Sequence, residues 1–149
     1  MLPAEFLFNL NLKLGDLKSL GDIVIGERRI ASIAGGSVEG QRFSGEIIEG
    51  SDCQLLRADG VLAIDATYLV KEDSGGLVRI LNKGLRHGPA EVLARLAKNE
   101  PVQPNEYFFG STMRFETSTK GLEWLNSTIA IAKGHRSGGV VQFITWAMQ

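Results

Sequence analysis

The stretch Asp59-Gly-Val-Leu-Ala-Ile-Asp-Ala-Thr-Tyr-Leu-Val70 has the length of a strand, opens on an Asp-Gly turn and alternates two kinds of side chain. Successive side chains of a strand point to opposite sides, so positions 62, 64, 66, 68 and 70 share one largely apolar face. The other face carries Asp65 between Ala63 and Thr67. An unpartnered buried carboxylate is costly. The stretch therefore predicts the wall of a barrel, in which Asp65 either lines a wet cavity or is held in a structural ion pair.

Extended segments of this kind recur along the whole chain and are separated by glycine-containing turns. The 18 glycines suit tight hairpins and bulges, whereas no phosphate-binding glycine loop occurs. Besides residues 61–70, strands are predicted at residues 5–13, 22–33, 37–49, 53–57, 77–82, 106–117, 124–132 and 139–148. About nine strands in one small chain predict an all-β antiparallel barrel with one short helix.

Residues 89–99 form the single predicted helix. Pro89 suits a first helical position, and Val92, Leu93 and Leu96 form a narrow apolar stripe, so the helix is expected to lie across a barrel end or side. Its N-terminal approach, residues 83–88, contains two cations and a histidine. This segment is either a solvated loop or a place that favours an anion.

Length and composition define the class of protein. With 149 residues, of which 44% are hydrophobic and 22% charged, the chain is expected to form one domain, residues 1–149, with its own core. Its 16 Lys and Arg and 17 Asp and Glu are scattered, which argues against a nucleic acid or an anionic membrane as partner. The N-terminal residues are not expected to be a signal peptide, and no apolar run approaches the ~20 residues of a membrane span. A lone Cys53 excludes an internal disulfide, and the expected location is the cytoplasm.

The sequence offers few groups for cofactor chemistry. The soft metal ligands are His87, His135 and Cys53, at no spacing typical of a metal site, so neither a metal nor another cofactor is expected. Asp65 is the candidate general acid or base because it lies in the middle of a strand, and Tyr68 is a weaker catalytic candidate. The candidate ligand-binding residues are Asp52, Cys53, Thr67, Tyr107, Arg114, Glu116, Trp124 and Asn126.

Several of these residues also have a purely structural interpretation. Arg114 and Glu116 lie two apart on one strand face and could pair with each other. Trp124 follows a Lys-Gly turn and would fill a small barrel efficiently as a core residue.

A series of short motifs resembles a known family. The motifs are Gly-Gly-Ser-Val-Glu-Gly (35–40), Ser-Asp-Cys-Gln (51–54), Arg-Ala-Asp-Gly (57–60), Ile-Asp-Ala-Thr-Tyr (64–68), Asn-Lys-Gly (82–84), Phe-Glu-Thr (115–117) and Trp-Leu-Asn (124–126). In this order they resemble domain-of-unknown-function family 3237 over nearly the whole chain. The resemblance implies a calycin-like or lipocalin-like antiparallel barrel with a central cavity. It implies no established reaction.

Three positions depart from the pattern of that family. Cys53, Thr67 and Gly110 stand where its members usually carry a tryptophan and two arginines. Thr67 shares a strand face with Asp65, so an arginine at this position would have been its natural partner. The departures predict a cavity that is roomier and less cationic than in relatives, and hence a ligand that is not an anion.

The function expected from the sequence is a barrel that binds a neutral or partly apolar organic molecule in a cavity near Asp65. The alternative is a cofactor-free lyase, isomerase or cyclase in which Asp65 is the general acid or base. A third option is a homodimer or other homo-oligomer formed through an apolar outer face. The residues leave open whether the protein is an enzyme.

Overall fold

In the computed structural model of the chain, which describes residues 2–149, eight antiparallel strands form a closed barrel. Each strand pairs with the next, and the last pairs with the first. The strands are β1 (Ala4–Asp22), β2 (Glu27–Glu39), β3 (Gly45–Leu56), β4 (Leu62–Glu72), β5 (Leu77–His87), β6 (Phe108–Thr117), β7 (Ala130–Ser137) and β8 (Val140–Met148). The predicted all-β antiparallel barrel is therefore confirmed, with eight strands in place of about nine.

The ninth predicted strand arose from a misplaced turn. Residues 45–56 form the single strand β3, and the chain turns at residues 40–44. Gly40 lies in that turn, where a Cβ atom would come within 2.4 Å of the Leu7 carbonyl oxygen, so only glycine fits without a shift. The strand predicted at 124–132 lies further along the chain, because Trp124 belongs to a 3-10 helix, Glu123–Ser127, and β7 runs from Ala130 to Ser137.

The apolar face of β4 points into the barrel, as its alternation requires. Leu62, Ile64, Ala66, Tyr68 and Val70 are all buried, and the residues between them are exposed or half-buried. Corresponding faces of the other strands complete one continuous core.

One end of the barrel is filled with apolar side chains. We call this the lower end; β3, β5 and β7 begin there. The Phe8 ring meets those of Phe43 and Phe115 edge to face, with centroids 5.7 and 5.9 Å away. Leu122 and Leu125, at the 3-10 helix, are also buried in this core. A ligand site is therefore confined to the opposite, upper end, where β3, β5 and β7 finish.

Helix α1 (Ala90–Ala97) connects β5 to β6 at the upper end, which confirms the predicted helix. Pro89 caps it, and Asn99, in the left-handed region with φ 57°, follows its last turn. Val92 and Leu96 are buried against the core. Arg95 donates to the Glu106 carboxylate at 2.6 Å, which ties the helix to the segment before β6.

The strand ladders differ in length around the barrel. The ladder between β5 and β6 runs from Val78 to His87, whereas that between β6 and β7 has only four pairs, from Gly110 to Met113. β1 pairs with β8 as far as Lys13 but continues beside β2 to Asp22. The second half of β1 therefore has one strand neighbour among the described residues.

Two further observations concern membranes and metals. Among the helices of residues 2–149, none combines the length and the apolarity needed to span a bilayer. The same residues bring together no cluster of three or more His, Cys, Asp or Glu side chains that could hold a metal ion.

Replacing Leu96 by Ala tests whether α1 is part of the core. Leu96 is only 3% exposed, so we expect the substitution to lower the free energy of unfolding by about 2–5 kcal/mol, measured by urea denaturation. Glu91→Ala, on the exposed side of the same helix, is the control and should change it by less than about 0.5 kcal/mol. Equal small losses for both variants would contradict the packing described above.

Candidate functional site

The upper end of the barrel brings polar and charged side chains together on the inner face. They follow the apolar residues of each strand at the same two-residue spacing. On β5, for example, Arg86 continues the inward series of Val78, Ile80 and Asn82. The inward polar residues at this end are Arg29 of β2, Asp52 and Gln54 of β3, Arg86 of β5 and Arg136 of β7.

These side chains lie between two adjacent spaces. The inner chamber, of about 30 Å³, has room for about two water molecules and is walled by apolar and aromatic side chains including Tyr68, Phe109 and Phe143. The outer chamber, of about 280 Å³, lies above it and extends to α1. Both are lined by Gln54, Arg86 and Arg136, so the two chambers form one site with a charged middle.

Asp52 is the buried acid of this site, with 9% of its surface exposed. Its Oδ2 accepts a hydrogen bond from the Gln54 amide at 2.9 Å, while Oδ1 is buried and has no partner among the described residues. Burial raises the pKa of Asp52 above its ordinary value, and the Gln54 hydrogen bond, the nearby backbone N–H of Asp65 and the charge of Arg86 only partly oppose this effect. Asp52 is therefore a carboxyl group that takes up a proton more readily than an exposed aspartate, with one oxygen available to a ligand.

The arginines make the site electropositive. Burial, followed by repulsion from Arg136, lowers the pKa of Arg86 to about 10, so its guanidinium is still charged at neutral pH. The Nε atoms of Arg86 and Arg29 are buried, and neither has an acceptor among residues 2–149. Unsatisfied buried donors of a cation are costly unless an acceptor reaches them. Three arginines beside one acid that resists ionisation form a site with an excess of positive charge.

Tyr107 holds the third arginine in place. Its hydroxyl accepts a hydrogen bond from the backbone N–H of Arg136 at 3.0 Å and contacts His135 Nδ1 at 2.9 Å. The Arg136 guanidinium also donates through Nε to the Gly138 carbonyl at 3.2 Å. Tyr107 thus acts on the site by fixing the backbone that carries Arg136.

Tyr68, predicted as a weak catalytic candidate, borders the inner chamber from below. Its hydroxyl accepts a hydrogen bond from the Asn82 amide at 3.2 Å, and burial raises the pKa of Tyr68 well above the ordinary range. The phenol therefore stays protonated and can serve as a hydrogen-bonding group but not as a base.

The structure corrects the expected position of Asp65 and of the cavity said to lie near it. Asp65 lies on the outer face of β4 with its side chain 59% exposed, and Lys83 Nζ on β5 is 3.8 Å from its carboxylate. The pleat gives the reason: the apolar face of β4 is the inner one, so Asp65 and Thr67 must point outwards. Cys53 lies opposite Asp65 on β3 and also points outwards, where its Sγ is 3.5 Å from Arg28 Nη1.

The remaining candidates also lie away from the chambers. Arg114 and Glu116 are on the outer face of β6, and Glu116 pairs with Arg79 at 2.7 Å instead of with Arg114. Trp124 is at the lower end, with the Arg42 guanidinium 3.7 Å from its ring centre. Asn126 binds the backbone N–H and C=O of Thr117. Of the predicted residues, only Asp52 and Tyr68 line the chambers, and Tyr107 supports them.

Sequence reasoning missed the arginines of the site and Gln54. The departures at positions 67 and 110 predict a loss of positive charge from the cavity, yet Thr67 and Gly110 both lie on outer faces. The argument for a less cationic cavity therefore fails, because neither position faces the barrel interior. The signal that could have found Arg86 is its position in the inward series of β5, and Arg29 likewise precedes inward Ala31 and Ile33 on β2.

Comparisons with known proteins place the chain in a family. The family model described as "Protein of unknown function (DUF3237)" matches residues 3–148, and the chain belongs to this family. The UPF0311 protein RPA1785 of Rhodopseudomonas palustris is 35% identical over 136 residues, 91% of this chain and 89% of that protein. Its crystal structure superposes with a TM-score of 0.95 and 32% identity, covering 100% of this chain and 99% of the other.

Two further proteins are similar. A β-barrel-like protein of Acinetobacter baumannii has a crystal structure with a TM-score of 0.87 and 36% identity, covering 100% of this chain and 97% of that one. The hydroalkoxylation enzyme phnH of Penicillium herquei is 25% identical over 126 residues, 85% of this chain and 70% of that protein.

Replacing Asp52 by Asn tests the buried acid. A carboxyl group whose pKa is raised on folding weakens the protein as the pH rises from the unfolded pKa through the folded pKa, because ionisation then costs more in the folded state. Near neutral pH we expect Asp52→Asn to increase the free energy of unfolding by about 1–3 kcal/mol. The gain should shrink in acid, where the carboxyl group is protonated in both states.

The measurement is urea denaturation at a series of pH values. Asp65→Asn on the outer face is the matched control and should change the free energy of unfolding by less than about 0.5 kcal/mol. An Asp52→Asn variant that is less stable than the wild type near neutral pH would contradict the raised pKa of Asp52.

Proposed function

We propose that this DUF3237 protein binds a small organic anion at the upper end of its barrel. The anionic group would lie against Arg86 and Arg136, the arginines shared by the two chambers, with Arg29 at its side. The observation that carries the proposal is the pair of buried arginine Nε atoms that have no acceptor within residues 2–149. A carboxylate or a phenolate supplies the acceptor atoms that these donors lack.

The shape of the site restricts the ligand to a small molecule. The outer chamber is close to the lower limit of known ligand pockets, about 300 Å³, and the inner chamber adds little to it. Leu14, Leu17, Ala31 and Ala97 supply apolar contacts in the outer chamber. A compact acid with a short apolar part fits these dimensions, whereas a long lipid chain would require the aromatic side chains of the inner chamber to move.

Asp52 gives the ligand a second recognition point. Asp52 lines the inner chamber, and its Oδ1 has no hydrogen-bond partner among residues 2–149. Its raised pKa favours the protonated form, which can donate a hydrogen bond. A ligand that carries a hydroxyl or carbonyl group beside its anionic group would meet both the arginines and Asp52. The neutral ligand expected from the sequence depended on Thr67 and Gly110 facing the cavity, so an anion replaces it in this proposal.

A second candidate function is acid–base catalysis at the same site, with Asp52 in the role first given to Asp65. This function would make the protein a cofactor-free lyase, isomerase or cyclase. A carboxyl group with a raised pKa holds a proton more readily than an exposed one and can return it to a substrate, and Arg86 could stabilise the negative oxygen of an enolate. The similar Penicillium herquei protein is named as a hydroalkoxylation enzyme, and addition of an alcohol across a double bond needs such a proton transfer.

Matched pairs of acids and amides test the binding proposal. We expect carboxylates such as phenylacetate and hexanoate to raise the melting temperature and to bind in calorimetry, and their primary amides to bind at least about tenfold more weakly. The reason is that a charge-assisted hydrogen bond contributes about 1.5–3 kcal/mol. Arg86→Met should abolish the preference for the acid.

The control for this experiment is Arg114→Met, which removes an arginine from the outer face of β6 and should leave binding unchanged. Equal affinity for acids and amides, or a preference that survives Arg86→Met, would contradict the proposed anion site.

Exchange of carbon-bound protons tests the catalytic alternative. In D₂O we expect the protein to accelerate deuterium incorporation at C3 of 2-oxobutanoate, followed by ¹H NMR, because the carboxylate of Asp52 removes a C3 proton and later returns a deuteron. Asp52→Asn should lower the enzymatic rate by about 10²-fold or more, whereas Asp65→Asn should leave it unchanged. If bound acids show no exchange above the buffer rate, the binding function alone is supported.

A further inference from the structure

We propose that the exposed edge of β1, residues 15–20, pairs antiparallel with the same edge of a second copy to form a symmetric dimer. This inference concerns the outside of the barrel and does not depend on the proposed ligand. A two-fold axis would pass beside Leu17, and the two barrels would lie at opposite ends of the shared strand pair.

The backbone of this segment provides the first observation. The last contact of β1 with the strand on that side is the hydrogen bond from the Leu14 N–H to the Gly139 carbonyl, at 2.9 Å. Beyond it, β1 pairs only with β2, from Leu17 opposite Ala31 to Asp22 opposite Glu27. The other edge of residues 15–22 has no strand neighbour within residues 2–149, and all of these residues are exposed. Such an edge is a template for a further strand.

The side chains of the segment provide the second observation. Leu17 and Leu20 are 53% and 60% exposed, and the hairpin that follows carries Val24 and Ile25 at 96% and 61%. Val24 is also held at φ 81°, in the region that β-branched residues rarely adopt. Clustered apolar residues on an exposed strand edge indicate a surface that is covered by another chain.

The charges of this segment indicate that the chain covering it is a second copy of the protein. In an antiparallel pair centred on Leu17, Asp16 lies opposite Lys18 of the partner subunit and Leu17 lies opposite its counterpart. A pair centred on Asp16 would oppose two aspartates, and one centred on Lys18 would oppose two lysines. The register centred on Leu17 therefore combines opposite charges with matched apolar side chains.

The position of this edge relates the dimer to the site. Leu17 also lines the outer chamber, beside Arg29 and Ala31. Pairing at this edge would place the partner subunit next to the opening of the barrel and shield Leu17 from water.

Two charge-reversed variants test the dimer. In Asp16→Lys, the introduced lysine of each copy would face Lys18 of the partner subunit. In Lys18→Asp, Asp16 of each copy would face an aspartate of the partner subunit. Two copies of either variant should therefore repel each other. In analytical ultracentrifugation over a dilution series we expect the wild type to form a dimer. Each variant alone should have a dissociation constant at least about tenfold higher, because like charges directly opposite each other are destabilising.

Mixing the two variants is the decisive measurement. The lysine-bearing chain and the aspartate-bearing chain should restore the dimer as a one-to-one heterodimer, and the Asp16→Lys, Lys18→Asp double variant should pair with itself. Glu49→Lys, on the exposed outer surface of β3, is the matched control and should leave the mass unchanged. Circular dichroism confirms that each variant is folded.

The opposite results would overturn the proposal. A wild type that is monomeric throughout the dilution series, or a dimer that persists in both single variants, would show that this edge is not the interface. Failure of the mixture to associate, when the wild type does, would show that the register centred on Leu17 is wrong.

Discussion

Closure of the sheet between β1 and β8 is the constraint on which the rest of the structure depends. In a closed barrel each side chain of a strand points either into the interior or to the surface, and the pleat assigns these directions alternately. The apolar side chains from Leu62 to Val70 occupy the inner face of β4, so Asp65, on the other face, must lie in solvent. By the same alternation, Arg86 and Asp52 point inwards at the upper end, where the apolar core ends.

The charge of the site depends on the point at which the apolar core gives way to polar side chains near the upper end of the barrel. A buried acid surrounded by cations would ordinarily ionise easily, yet burial of Asp52 outweighs the opposing influence of Arg86. The positive charge of Arg29, Arg86 and Arg136 is therefore not neutralised from within the barrel. A binding protein and an acid–base enzyme would both use this imbalance, and they differ in whether Asp52 only holds a ligand or also exchanges a proton with it.

The sequence predicted the architecture well because barrel strands carry a local signal. Alternation over residues 61–70, the Asp59-Gly60 turn and the Pro89 helix start each depend on neighbours in sequence, and the eight strands and α1 agree with them. The site was predicted less well because its members come from four strands, and their approach depends on ladder registers that no single segment encodes. Asp65 is a charge within an apolar run, but the alternation within that run does not say which side holds the core. Arg86 and Arg136 were overlooked because an arginine near a strand end resembles an ordinary solvated residue.

The ladder between β6 and β7 is short, so a bound anion would help to hold the barrel wall together at this place. Above Lys133 the wall is no longer held there by paired backbone, and the Tyr107 hydroxyl bridges the gap to His135 and the Arg136 N–H. Arg86 belongs to β5 and Arg136 to β7, on either side of β6. An anion bound by both arginines would link β5 to β7 across the part of the barrel wall that has the fewest backbone pairs. Ligand binding would then oppose local opening of the barrel wall between β6 and β7. A barrel without a ligand would open at this place more readily than one with a ligand bound.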